Sequence, residues 1–225
     1  MRNDLVAARL VVALEKALDS AGLTIRQHDD LEGFERAHQA LAGQGGTSPP
    51  LNSRFIDADP SDLFWLEAVA EGETVAVEAM RRERITIPLA RHLDLQYRRL
   101  YCGHDADQIA GHAPGAELIS GNIVYHGDLW IAPQWRGNGL ATRLSRLALL
   151  IAYLRWDPDF VWGFISDSKV LRGYAQKIGY WHCQPYGTQY FREPEGISEK
   201  DWLVWLTRAD FNYWIELSQQ RRELA

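Results

Sequence analysis

Leu129-Trp-Ile-Ala-Pro-Gln-Trp-Arg-Gly-Asn-Gly-Leu-Ala-Thr-Arg-Leu144 is the stretch that decides how this chain folds. An apolar run ends at Pro133, a tight segment with Gly137 and Gly139 follows, and a helical pattern starts at once. Glycines let backbone N–H groups approach a ligand with no Cβ in the way. A helix N-terminus adds unpaired donors and partial positive charge. Strand, glycine loop and helix together make an anion cradle suited to a pyrophosphate.

Three phosphate-binding patterns compete for this segment. A P-loop needs a Lys-Ser or Lys-Thr pair after its glycines, and none follows here. The dinucleotide fingerprint needs a third glycine where Thr142 stands. The run Gln134-Trp-Arg136-Gly137-Asn138-Gly139-Leu140-Ala141 instead resembles the acyl-CoA signature Gln/Arg-x-x-Gly-x-Gly/Ala of the GNAT superfamily of N-acyltransferases. It matches in two phases, Gln134/Gly137/Gly139 and Arg136/Gly139/Ala141, after a hydrophobic strand that ends in proline.

Outward from this stretch, the pattern predicts a helix over 3–21, a short strand over 23–27 and a helix over 31–42, capped by Asp29 or Asp30. Residues 43–50 read as a loop, and Leu63–Ala70 with Thr74–Met80 as a hairpin around Glu71-Gly72. The remaining elements are a helix near 90–101, a strand over 122–131, a helix over 140–154 and a strand over 160–165. A helix over 168–178, strands over 180–190 and 202–207 and a terminal helix over 209–224 complete the chain. This alternation indicates a mixed α/β (α+β) domain spanning 1–225. The resemblance implies a mainly antiparallel central sheet flanked by helices. Against that layout 1–22 is an added helix, and 81–121 an insertion that could form an acceptor-side lid.

The resemblance further implies acetyl transfer from acetyl-CoA to an amine, with a small molecule as acceptor. A longer-chain acyl-CoA donor, or an acyl-CoA-binding sensor that turns over slowly, are the alternatives. Backbone near Ile131 and Ala132 would pair with the pantetheine arm. The N–H groups from Arg136 through Gly137, Asn138, Gly139, Leu140 and Ala141 would hold the pyrophosphate, with the Arg136 side chain adding a charged contact. Trp130, Gln134, Thr142 and Ser168 complete the implied acetyl-CoA set. No metal is implied.

An amine acceptor is mostly protonated at neutral pH, so a base must take a proton before attack. Strict alternation along the strand would place His126, Asp128 and Trp130 on one face. Asp128 or His126 is favoured as the base, with Glu67 and Glu78 of the hairpin also on cleft-facing strands. Each equally suits a bland role, as a surface cap or a buried hydrogen-bonded group. The family's proton-donating tyrosine falls, counting back from Gly179-Tyr180, at Ala175, with Tyr174 one residue earlier. Tyr174 is the candidate acid, or else a core aromatic.

Composition narrows partners. Net charge is -6, which disfavours nucleic acid. The six arginines between Arg81 and Arg99 read as a salt-bridged face. Cys102 and Cys183 lack zinc-ligand spacing and are expected as free thiols. No leader or membrane span is legible, so a cytoplasmic location without membrane attachment is expected. Aromatic residues near the C-terminus make a homodimer plausible. Of nine tryptophans, Trp156, Trp162, Trp202 and Trp205 read as core, and Trp135 and Trp181 as candidate site residues.

Overall fold

The computed structural model describes residues 3–43, 46–100, 109–191, 198 and 200–221. In chain order the helices are α1 (Asp4–Asp19), α2 (Leu31–Ala42), α3 (Leu89–Leu100), α4 (Leu140–Trp156), α5 (Asp167–Val170), α6 (Tyr174–Ile178) and α7 (Arg208–Arg221). The strands are β1 (Thr24–His28), β2 (Leu63–Ala70), β3 (Glu73–Ile85), β4 (Ile109–His112), β5 (Gly121–Ile131), β6 (Phe160–Ile165), β7 (His182–Gln184), β8 (Thr188–Tyr190) and β9 (Trp202–Thr207).

Seven strands form one sheet in the order β1-β2-β3-β5-β6-β9-β7, and β4 pairs with β8 in a small second sheet. Among the described residues only β5 and β6 run parallel; every other strand pairing is antiparallel. The expectation of a mixed, mainly antiparallel sheet flanked by helices is met.

The sheet separates two apolar cores. Phe64, Leu66 and Ala68 of β2 join one core with α1, α4 and α7, while Leu63 and Trp65 join the other with α2 and α3. A strand buried on both faces reads as a nearly continuous apolar run, as Leu63–Ala70 does with Glu67 as its one break. Helix α4 lies in the first core, with Leu144, Leu147, Ala148, Leu149, Leu150 and Tyr153 fully buried. Its apolar surface extends around most of the helix because β2, β3, α1 and α6 all pack against it.

Four expectations need correction. Strand β3 runs on to Ile85, past the expected Met80, because Arg81–Ile85 continue the ladder with Gly121–Tyr125. The expected helix over 168–178 is two helices, parted at Gly173, whose φ of 73° breaks the right-handed run. The strand expected over 180–190 is two short strands in different sheets, turned at Tyr186, which has a φ of 53°. Asp30 holds the N-cap position of α2, yet its side chain makes no capping bond.

Described residues on both sides of 101–108 pack into the second core. Leu89, Ala90 and Leu93 of α3, with Ala113, Ala116 and Ile119, belong to the second core. Arg81 is buried, pairs with Glu83 and donates to the Pro50 carbonyl, while Arg82 pairs with Asp62. Residues 101–108, including Cys102, and 222–224 of the expected terminal helix lie outside the described residues. Cys183 is a free thiol. Trp156, Trp162 and Trp205 are buried as expected, and Trp202 packs against the first core. No described helix is long and apolar enough to cross a membrane.

Candidate active site

The site begins with a parting of strands. The parallel ladder between β5 and β6 covers Ile123↔Phe160, Val124↔Val161 and Tyr125↔Trp162, and goes no further. Beyond Tyr125, β5 still follows β3 to Ile131, while β6 continues to Ile165 beside β9. An opening of about 370 Å³ lies where they diverge, lined by residues 126–130 of β5, 164–166 at the end of β6, and side chains of α2, α5, α6 and β9.

A β-bulge produces the divergence. Val77 faces Trp130 and Ala79 faces Gly127, so Glu78 alone spans Asp128 and Leu129. Asp128 adopts a φ of 54°, a left-handed conformation that aspartate tolerates better than most residues. Bulges re-aim side chains and concentrate beside functional sites. Gly127 is required here: a Cβ would lie 2.4 Å from the Tyr125 ring. With that space open, the Tyr125 hydroxyl reaches Ser48 Oγ at 3.1 Å.

The bulge also overturns the expected common face for His126, Asp128 and Trp130. His126 points toward α4. Its Nε2 lies 3.0 Å from Glu78 Oε2, and its Nδ1 lies 2.9 Å from the Tyr180 hydroxyl. Ser145 of α4 donates to the same Glu78 oxygen at 2.8 Å. With a carboxylate at Glu78, the proton is assigned to Nε2, and Nδ1 accepts from Tyr180. Asp128 points the other way, toward α2. Its Oδ2 accepts from Ser48 N and Ser48 Oγ, both at 2.8 Å. Trp130 shares that side, its ring meeting His38 of α2 edge-on at 6.2 Å. Two polar groups thus flank the opening, one on each side of the sheet.

Electrostatics differ between them. Burial pushes the Asp128 carboxyl above the ordinary carboxylate range, although the Ser48 hydrogen bonds and His38 pull it down. Burial lowers His38, opposed by the Asp128 charge. Burial and the Glu78 charge raise both Tyr174 and Tyr180, so both stay phenols at neutral pH. Tyr174 lines the opening, with its hydroxyl 3.4 Å from Ser145 Oγ, whereas Ala175 is fully buried in the first core. Because α6 starts afresh after Gly173, a face counted along one continuous helix does not apply to Tyr174.

Beside the opening, the Arg136–Gly139 loop is exposed, with Gly137 at φ 82° and Gly139 at φ 84°. No atom lies within 4 Å of a Cβ placed on Gly137. Gly139 is the N-cap of α4, where no side chain caps by hydrogen bond, although Asn138 Oδ1 accepts from Leu140 N at 3.1 Å. An exposed glycine pair at a helix start presents backbone donors to an anion. Arg136 is turned back: its Nε donates to the Ile131 carbonyl at 2.9 Å and its guanidinium lies 5.3 Å from the Trp130 ring centre. Ala132 N is used by Val75 O at 2.8 Å. Ser168 is exposed, and the residues of its turn that line the opening are Ser166 and Lys169.

Other candidates lie elsewhere. Glu67 is engaged by His28 and Thr74 beside β1. Trp135 packs on the first core, and Trp181 stacks edge-on with Tyr213 at 5.3 Å; neither lines the opening, and no described residue of 81–121 does so. Ser48, His38, Ser145 and Tyr180 carry site contacts that the sequence reading did not assign. Only Tyr180 had a signal, through its place after Gly179. Among the described residues, no group of three or more His, Cys, Asp or Glu side chains is placed to hold a metal.

No family model matches the chain, and no curated protein matches it. Solved structures do. A GNAT-family acetyltransferase from Streptococcus pneumoniae is 12% identical, covering 82% of this chain and 99% of its own, with a TM-score of 0.47. A Drosophila melanogaster polyamine N-acetyltransferase, which forms N-acetylagmatine, is 18% identical, covering 82% and 99%, with a TM-score of 0.49. An aminoglycoside acetyltransferase, solved with coenzyme A and kanamycin, is 14% identical, covering 85% and 98%, with a TM-score of 0.42.

Proposed function

We propose that this chain is a GNAT-type N-acyltransferase that moves an acetyl group from acetyl-CoA to a small amine. One observation carries the reading: the bulge at Asp128 parts β5 from β6 directly beside the exposed Gly137–Gly139 loop at the start of α4. The parted strand edge leaves room for an extended arm, and the loop offers backbone donors to a diphosphate at its end.

The chemistry follows from the two walls. The acceptor arrives as an ammonium, and Asp128 takes one of its protons. Burial raises that carboxyl, which makes its anion a stronger base than a solvated aspartate. The nitrogen attacks the thioester carbon, a C–N bond forms, and the C–S bond breaks as the tetrahedral intermediate collapses. A second proton leaves the nitrogen and ends on the sulfur. Tyr174, held as a phenol, serves as a hydrogen-bond donor to the sulfur as charge develops there. His126 does not meet the amine directly, because both ring nitrogens are engaged. It positions Tyr180, and Glu78 fixes its tautomer. Ile131, Ala132 and the backbone from Arg136 to Ala141 bind the donor, and the Arg136 side chain must swing off Ile131 to reach a phosphate.

Calorimetric titration with coenzyme A and acetyl-CoA tests the donor half. One-to-one binding is expected, together with a ligand-dependent rise in Tm. Absence of both would remove the reading. Binding without acyl transfer to any amine would favour an acyl-CoA sensor.

A further inference from the structure

Two residues in the wall of the opening that faces α2 hold buried polar atoms which the fold leaves without a partner. His38 is 6% exposed, and its Nδ1 is buried with no hydrogen-bond partner. The indole Nε1 of Trp130 is likewise buried and unpartnered. Both residues line the opening together with Asp128. Among the described residues, the donors found on Asp128 both come from Ser48 and both meet Oδ2.

An orphaned buried donor or acceptor costs about 1–3 kcal/mol, so two on adjoining rings call for an explanation. An indole N–H can only donate, so its missing partner is an acceptor. A neutral imidazole Nδ1 can accept or donate according to tautomer. A hydroxyl satisfies both at once, accepting from Trp130 and donating to His38. The Asp128 carboxylate beside them calls for a cation. Lys169 also lines the opening, from α5, as does Asp201 from the segment before β9.

We propose that this wall is the acceptor subsite, and that it takes a small primary ammonium bearing a hydroxyl on the second or third carbon from the nitrogen. The ammonium meets Asp128. The hydroxyl oxygen receives the Trp130 N–H and returns its proton to His38. This assignment rests on the acyltransferase reading for the word acceptor, but the binding site stands on the orphaned atoms alone. It gives the Trp130 side chain a role on the acceptor side, separate from any contact its backbone makes with the donor.

Two isosteric probes test it: 1-amino-2-propanol and isobutylamine, which differ by a hydroxyl in place of a methyl. Calorimetry on the full chain should show the amino alcohol binding about tenfold tighter or more, the scale of one buried polar group left unpaired by the analogue. Trp130→Phe, which keeps an aromatic ring but removes the N–H, should bring the ratio to within about twofold. If circular dichroism shows that variant unfolded, His38→Phe must shrink the ratio instead. Equal affinities in the parent protein, or a preference unchanged in the folded variant, would overturn the subsite. Acetyl transfer to both amines with equal kcat/KM would also overturn it while leaving the acyltransferase reading intact. A retained binding preference without transfer to either amine would support the subsite and remove that reading.

Discussion

His126 and Asp128 stand two residues apart on one strand, yet their side chains leave opposite faces of the sheet. His126 reaches Glu78 and Tyr180 on the α4 side, and Asp128 reaches Ser48 on the α2 side. One inserted residue, with Asp128 at a φ of 54°, separates the two groups and opens the space between β5 and β6.

Asp128→Asn tests the base. The substitution keeps size and hydrogen-bonding capacity but removes the charge. We expect kcat to fall about a hundredfold or more, the usual contribution of a positioned base. The acidic limb of the kcat/KM profile is the sharper readout. A base works deprotonated, so activity falls as pH drops through the Asp128 pKa, and burial sets that limb above the ordinary aspartate value of about 3.9. Ser48 and His38 are the groups facing this carboxylate. The limb should vanish in Asp128→Asn, and a limb of unchanged position would exclude Asp128.

Glu78→Gln tests the buried chain. Glu78 is fully buried and meets both His126 and Ser145. A neutral amide oxygen can still accept from both but gives up the charge-assisted part of each bond, and the new NH2 is buried where Oε1 has no partner, so a loss of about 1–3 kcal/mol in stability is expected. Ring nitrogen shifts of His126 by NMR should report the proton on Nε2 in the parent chain and a changed tautomer balance in the variant. Unchanged shifts would mean that Glu78 does not set the tautomer.

Gly139→Trp tests the donor cradle. Gly139 begins α4 in the left-handed region and is exposed. A bulky ring there would cover the first-turn donors, and we expect acetyl-CoA affinity to drop about tenfold or more, since close backbone approach is what the glycine permits. Calorimetry checks it, and unchanged affinity would place the diphosphate elsewhere.

Gly163→Ala probes the parting itself. A Cβ at Gly163 would stand 2.5 Å from the His126 carbonyl oxygen, a backbone atom with no freedom to swing aside. Strand β6 must shift away from β5, at a cost of about 1–3 kcal/mol typical of overpacking. Denaturant unfolding reads the loss, and full stability would show that the strands have slack at this point.

Much of this molecule can be read along the chain. The periodicity of 31–42, the apolar run of 63–70 and the strand–loop–helix around Pro133 each declare themselves locally, and the structure keeps them close to the expected bounds. The site was legible where glycines mark it, at Gly137 and Gly139. It was not legible at the bulge, because a period of two carries no sign of the one inserted residue that reverses it at Asp128. Gly127 was the available clue, since glycine inside a strand often marks a bulge. Ser48 and His38 could not be found from sequence. They sit about 80 and 90 residues before Asp128, in a loop and a helix whose own patterns say only that they are a loop and a helix. The break at Gly173 was not legible either, because the pattern of 168–178 reads as one helix where the structure has two, and Tyr174 opens the second.

The most direct test of the whole account is release of free thiol from acetyl-CoA by the full chain, followed with and without a panel of small primary amines. The account predicts thiol release that depends on the amine, saturates with it, and yields the N-acetyl product in equal amount. Release no faster than the amine-free background for every amine, under conditions where the protein is folded, would contradict it.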